Sequence, residues 1–324
     1  MANYEDNPSK YQQLWVDGYN FDFGRYISKG FSLFGAFPFG FIFHLLIGFL
    51  MVIVGGLVVG LVVGAVAGGI FSSIATGGDV GIFSIIFGII LYLAMTAAMG
   101  GLFLSVLAGI YPTARQISQT GTKEFGTLFS AFNSFLQLSL FLVISLVIYG
   151  LIFFVSSWIT GFSMVSMMEF ADVIDPMDPT SVLSFYAQTG ILSAIGVSTL
   201  LSIYFSVAWG LTVPFIVLGK MRFWDAMETS RKIVTRKWFH FFGLTLVVWI
   251  ISIAVLLTVG LIGGLTESAA ILFLMMIAGY GFMVPYTFLV NYSVYEDIVM
   301  EFSDDLTDKI DNIGDDFDPL DEEA

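Results

Sequence analysis

Residues 220–243 read KMRFWDAMETSRKIVTRKWFHFFG and carry half of the twelve lysines and arginines in the chain. Wound at about 100° per residue, Phe223, Met227, Ser230, Val234 and Trp238 fall along one side, and Asp225, Glu228, Lys232, Thr235 and Arg236 along the other. The pattern predicts an amphipathic helix. Asp225 and Glu228 come early and Arg231, Lys232, Arg236 and Lys237 late, the order that complements a helix dipole, and Glu228 and Lys232 have i,i+4 spacing. The helix runs directly into an apolar segment. A basic helix of this kind beside a hydrophobic span is expected in the headgroup layer of a membrane, apolar side down. Arg222, Arg231, Lys232, Arg236 and Lys237, with Trp224 and Trp238, are the candidate lipid-binding residues, and membrane lipids with anionic headgroups are the expected partners.

The chain on either side fits that setting. Hydrophobic residues make up 57% of it and charged ones 12%, and the mean hydropathy is +0.90, more apolar surface than a soluble domain of this length can bury. The expected class is an all-α polytopic membrane protein. Nearly charge-free runs at about 35–75, 80–114, 125–160, 188–219, 239–263 and 268–295 are each long enough for the roughly 20 residues of a membrane helix. They divide the chain into a polar segment 1–30, a six-span domain 31–300 and an acidic tail 301–324.

Orientation follows from the bases. Lys10, Arg25 and Lys29 precede span one, Arg115 and Lys123 lie between spans two and three, the basic helix lies between four and five, and Lys309 is in the tail. The other connections, around Asp79, Glu169 to Asp178, and Glu267, contain no base. The positive-inside rule therefore predicts both termini in the cytoplasm. The polar, acidic N-terminus does not read as a cleaved signal. With no cysteine, the chain has no disulfide, thiolate zinc site or iron–sulfur cluster of its own.

A repeat runs through the spans. SLFGAF (Ser32 to Phe37) precedes span one and TLFSAF (Thr127 to Phe132) precedes span three; the basic helix ending in KWFHFFG takes that place before span five. Each even span ends with a glycine and a proline: Gly109 and Pro112, Gly210 and Pro214, Gly281 and Pro285. The prolines are expected to bend those spans near the cytoplasmic side. The predicted unit is an interfacial helix followed by a membrane hairpin, three times over.

Span one is longer than a bilayer requires, since no charge occurs from Phe31 to Gly78, so it either tilts and projects or breaks. Its second half, GGLVVGLVVGAVAGG, sets Gly56, Gly60, Gly64 and Gly68 at four-residue steps, a stripe that allows close helix approach. Two readings follow: packing against the small residues AMTAAMGG (Ala94 to Gly101) of span two, or a homo-oligomer interface. The outward segment MVSMMEFADVIDPMDPTS carries Glu169, Asp172, Asp175 and Asp178, but in no calcium-loop spacing, and its methionines lack nearby histidine or cysteine. It reads as a solvated loop.

The net charge of −14 is mostly a property of residues 296–324, where thirteen acids stand against one base. Such an acidic balance argues against nucleic-acid binding. In the tail, Phe302, Leu306, Ile310, Ile313, Phe317 and Leu320 recur at helical steps, so it is either a disordered solubilising tail or a conditional amphipathic helix, and its charge, opposite to that of the basic helix, suits binding between the two.

Chemistry inside the spans is sparse. His44 is the one titratable residue well inside a span apart from tyrosines, and it reads as hydrogen-bonded to a neighbouring helix, with a proton relay as the other reading. His240 belongs to the mouth of span five. In span three Asn133, Ser134, Gln137 and Ser145 share an arc of about 120°, suited to interhelical hydrogen bonds or, at Asn133 and Gln137, to lining a polar path. Paired carboxylates, a nucleophile with a histidine, metal-ligand spacing and phosphate loops are not found. No enzyme activity, cofactor or metal is expected.

From Val213 to Leu244, VPFIVLGKMRFWDAMETSRKIVTRKWFHFFGL runs from a proline through a short helix with internal alanine and serine to an aromatic lead into a span. This resembles the membrane domain fused to some bacterial glycerophosphodiester phosphodiesterases and its stand-alone polytopic relatives, over about 190–300. The resemblance implies a helical bundle with interfacial helices. The chain lacks the soluble catalytic barrel, so phosphodiester hydrolysis does not carry over. The expected function is a non-enzymatic membrane protein that organises or senses lipid; the alternative is a permease or channel for a neutral or lipid-like solute.

Overall fold

The structure, a computed structural model, describes residues 19–75, 82–161, 180, 190–266 and 268–300. In chain order its elements are α1 (Phe23–Ala36), α2 (Pro38–Ala75), α3 (Ile82–Ala108), α4 (Ile110–Thr120), a 3₁₀ helix (Phe125–Ser134), α5 (Phe135–Thr160), α6 (Ile191–Ala208), α7 (Thr212–Val217), α8 (Phe223–Arg236), α9 (Trp238–Gly264), α10 (Ala269–Tyr295) and a π turn (Glu296–Met300). No strand occurs among the described residues. Six helices are long and apolar enough to cross a membrane, and the chain is an all-α, multi-pass membrane protein.

The six spans close a ring in chain order. α2 packs on α3, α3 on α5, α5 on α6, α6 on α9, α9 on α10, and α10 returns to α2. Span one does not break: α2 is a single helix of 38 residues, about 57 Å at 1.5 Å per residue and well beyond a hydrocarbon core of about 30 Å. Its start is set locally. Pro38 occupies the first turn, where its missing N–H is no loss, and α1 ends just before it. The Asp22 carboxylate caps α1 by accepting the Arg25 N–H at 3.1 Å.

The even spans correct the expected proline bend. Spans two and four break at Gly109 and at Trp209–Gly210, and Pro112 and Pro214 each stand third in the short helix that follows, where no intrahelical hydrogen bond is lost. Of the three, Pro285 alone lies in a helix interior, that of α10, which runs on into the π turn.

Each helix leading into an odd span seats on the end of an even one. The 3₁₀ helix carrying TLFSAF covers the break in span two so closely that a methyl group on Gly109 would lie 1.7 Å from the Leu128 carbonyl oxygen. α8 covers the break in span four, packing on α6 and α7. α1 closes the circle by seating on α10, where a methyl group on Gly30 would meet Val290 Cγ2 at 2.7 Å. Leu33 and Leu128, equivalent in the two six-residue repeats, are both buried.

This corrects the expectation that the apolar sides of these helices lie against lipid. On α8, Ala226, Met227, Thr229, Ser230, Ile233 and Val234 are buried inside the protein. The physical reason is that each broken span presents apolar surface and unsatisfied backbone groups at one place, and the next helix covers both. The main core gathers at this basic end of the bundle, around Tyr26, Phe41, Tyr111, Leu128, Phe215 and Tyr286. Toward the far end large side chains such as Leu61, Trp158, Leu200 and Leu261 are exposed, as expected of surfaces that face lipid.

Among the described residues the glycine stripe does not pack on span two. Gly48 meets Val106 and Gly55 meets Met99, whereas a methyl group on Gly56, Gly60, Gly64 or Gly68 would find nothing within 4 Å. At 100° per residue Gly48 and Gly55 differ by only about 20°, while Gly56 starts a face turned about 100° away from Gly55. The small residues of span two serve span three instead, with Gly100 against Leu142 and Gly101 against Ser139.

Candidate functional site

The basic helix α8 is tied to other elements by hydrogen bonds at its start and on its buried side. At its start the Phe223 N–H, one of the donors a helix leaves unpaired, donates to Gln137 Oε1 of α5 at 2.9 Å. On its buried side Ser230 mends the break in span four: its hydroxyl donates to the Ala208 carbonyl at 2.8 Å and accepts the Leu211 N–H at 3.1 Å. The internal serine of an otherwise apolar face is thus accounted for.

The outer side separates the candidate lipid-binding residues into two groups. Arg231 makes two hydrogen bonds to Glu228, at 2.8 and 2.7 Å, and Lys232 lies 3.4 Å from the same carboxylate, so the expected i,i+4 pair exists beside a shorter i,i+3 pair. The hydrogen bond from Arg231 holds the Glu228 carboxyl below its ordinary range against an opposing effect of burial, with smaller help from Lys232. Lys237 turns back to donate to the Tyr19 carbonyl, and its ammonium lies 5.1 Å from the centre of that ring. Trp238 stacks on Phe242 at 5.1 Å and on Tyr204 at 6.2 Å. Arg231, Lys237 and Trp238 are half-buried against these partners, while Lys232 keeps its Glu228 pair at the surface. Arg222, Trp224, Lys232 and Arg236 are exposed, Trp224 at 58%.

The polar residues of span three separate as well. Gln137 uses its carbonyl oxygen to cap α8, and Asn133 is exposed at the end of the 3₁₀ helix. The Ser134 and Ser145 hydroxyls are buried without a hydrogen-bond partner among the described residues. His44 is fully buried, 2.6 Å from the Val106 carbonyl. A carbonyl only accepts, so Nε2 carries the proton, and the imidazole secures the last turn of α3 just before its break. His240 is exposed beside Phe21 and Phe23.

A second polar cluster was not legible from spacing. Where α10 passes into the π turn, Asp297 pairs with Arg25 and accepts the Tyr26 hydroxyl at 2.6 Å. Glu296 pairs with Lys29 at 2.8 Å and accepts the Ser118 hydroxyl at 2.6 Å. The adjacent acids and the i,i+4 bases were its only signal in the sequence. This clamp joins α1, α4 and the end of span six.

Between the first and third hairpins lies an apolar crevice of about 440 Å³, lined by Leu45, Leu46 and Phe49 of α2, Phe103 of α3, and Met276 and Tyr280 of α10 among others. Among the described residues no three His, Asp or Glu side chains gather closely enough to hold a metal ion. The carboxylates and methionines of 164–178 and the acidic tail 301–324 lie outside the described residues. No family model matches the chain, and no curated protein or solved structure matches it.

Proposed function

We propose that the protein is a non-enzymatic, lipid-interacting component of a bacterial inner membrane, with both termini cytoplasmic, and that it holds anionic headgroups on the outer edge of α8. One observation carries the reading. The apolar side of α8 is used inside the protein, while Arg222, Trp224, Lys232 and Arg236 stay exposed beside the start of a membrane span. Bases held on a packed helix at that level attract anionic lipid without the cost of ordering the helix on binding. α1 and the 3₁₀ helix share the level but are less basic, which makes α8 the headgroup-facing member of the three.

The test is retention of anionic lipid by the purified protein, followed by native mass spectrometry. Each base near such a surface is worth roughly 1 kcal/mol, so the triple variant Arg222→Gln, Lys232→Gln, Arg236→Gln is expected to weaken retention on the order of 100-fold. Unchanged retention refutes the reading. Kinship with the membrane domains of bacterial glycerophosphodiester phosphodiesterases, on the stretch from Val213 to Leu244, belongs to the proposal, as does self-association through the open glycine stripe.

A second reading, a permease for a lipid-like solute, is favoured by the crevice between the first and third hairpins, whose lining is apolar. It requires solute flux in proteoliposomes that Gly281→Leu reduces, because Gly281 lines that crevice. Flux sensitive instead to Gln137→Leu would point to span three.

A further inference from the structure

α2 and α10 are the two spans that close the ring, and each is fixed to its own hairpin partner. Gly48 of α2 lies against α3, where a methyl group would come within 2.3 Å of Val106 Cγ1, and Gly279 of α10 lies against α9, where one would come within 3.2 Å of Leu256 Cδ2. α2 and α10 approach one another at Gly281, where a methyl group would lie 3.1 Å from Ile42 Cγ1. From that contact the apolar crevice of about 440 Å³ runs between them toward the far end of the bundle, past Phe49 and Phe273. Its lining recurs at steps of three and four residues on both helices, from Ile42 to Phe49 and from Phe273 to Val284, so the crevice follows one face of each.

The chemistry of the crevice is uniform. Apart from the Tyr280 hydroxyl, no lining side chain carries a nitrogen or oxygen atom, and apolar cavities of this kind stay dry. Val106 and Leu107 of α3 form a buried base, while Phe49 and Phe273 on the two walls are 60% and 64% exposed. The crevice therefore opens onto the apolar surface of spans one and six, within the length of both spans. Its shape excludes a helix. Phe273 to Val284 covers about 16 Å at 1.5 Å per residue, so the volume leaves a channel averaging about 5 Å across, against about 10–12 Å for a helix with its side chains. An extended hydrocarbon chain suits that width, and the bilayer around the spans supplies such chains.

We propose that the crevice holds one acyl chain of a membrane phospholipid, wedged between the first and third hairpins as a fixed part of the ring. Lipid chains are as apolar as the side chains around them, so retention comes from close packing against α2, α3 and α10 and not from transfer out of water. The proposal rests on neither reading given above, since it needs no charged headgroup on α8 and no transport.

The test uses the full chain, reconstituted with phosphatidylethanolamine that carries a photoactivatable group in one acyl chain and then extracted in mild detergent. Native mass spectrometry counts the retained lipid, and irradiation followed by peptide mapping locates it. The expected result is one phospholipid per chain, crosslinked within 42–49, 103–107 or 273–284. Leu46→Trp and Met276→Trp, which fill the crevice from its two walls, are each expected to abolish retention, so the result stands if one of them misfolds. Leu50→Trp, exposed on α2 but outside the lining, is expected to change nothing. The α8 triple variant is also expected to leave retention intact, because the probe lipid is zwitterionic, and this separates the proposal from the headgroup reading. Retention that survives both filling variants, crosslinks confined to other segments, or a dimer that the filling variants dissolve while no lipid is retained, overturns the proposal.

Discussion

Ser230 occupies a position where an amphipathic pattern alone would put an apolar side chain. Its hydroxyl serves two backbone groups of the broken fourth span, so Ser230→Ala leaves the Leu211 N–H and the Ala208 carbonyl buried and unpaired. The expected cost is about 1–3 kcal/mol, read as a lower unfolding temperature in detergent. Thr235→Ala, whose exposed hydroxyl bonds only within its own helix, is expected to cost under about 0.5 kcal/mol. Lys220→Gly is expected to act in the opposite direction, stabilising by about 1 kcal/mol through relief of the positive φ. It also changes the response to pH. Because the folded-state pKa of Lys220 lies below its unfolded value of about 10.4, the unfolded chain binds more protons between the two. Stability contributed at this position therefore rises with pH through that window and levels off above it, and Lys220→Gly removes the rise. From the sequence Gln137 was recognisable as a polar residue in need of a partner. Its partner, the Phe223 N–H, was not, because the two are 86 residues apart and meet only once the bundle is built.

Among the elements, six spans, the repeated lead-in helices and the basic helix were legible because hydropathy and helical periodicity are local properties. The breaks at Gly109 and Gly210 were only half legible. Glycine and proline marked the places, but whether a proline bends a helix or starts a new one depends on what covers the freed carbonyls. The glycine stripe shows the same limit, since spacing identifies a smooth helix face and not the neighbour it meets. Two substitutions separate the used glycines from the unused ones. Gly60→Leu with Gly64→Leu is expected to leave the unfolding temperature of the monomer unchanged, because a methyl group at either position would meet no neighbouring element within 4 Å among the described residues. Gly101→Leu is expected to prevent folding, because even a methyl group there would sit 1.8 Å from Ser139 Oγ, where α3 and α5 cross. A monomer destabilised by the first pair would show that the stripe packs within the chain after all.

For the whole molecule, the three repeats form a ring because each lead-in helix rests on the end of the preceding even span, and the first rests on the last. The composition of the chain announces a membrane protein but says nothing of this closure, which depends on α1 meeting α10 across more than 250 residues of sequence. Closure has a consequence for function. It commits the buried sides of α1, the 3₁₀ helix and α8 to the protein and leaves the outer edge of α8 exposed at the basic end. The chain contains no cysteine, so a disulfide can be placed without interference. Gly30→Cys with Val290→Cys joins α1 to α10 where a methyl group added at position 30 would touch Val290, and Gly48→Cys with Val106→Cys joins the two helices of the first hairpin at similarly close approach. Oxidation of isolated membranes is predicted to form both bonds to a similar extent, detected as a mobility shift reversed by reductant. A disulfide within the hairpin without one between α1 and α10 would contradict ring closure.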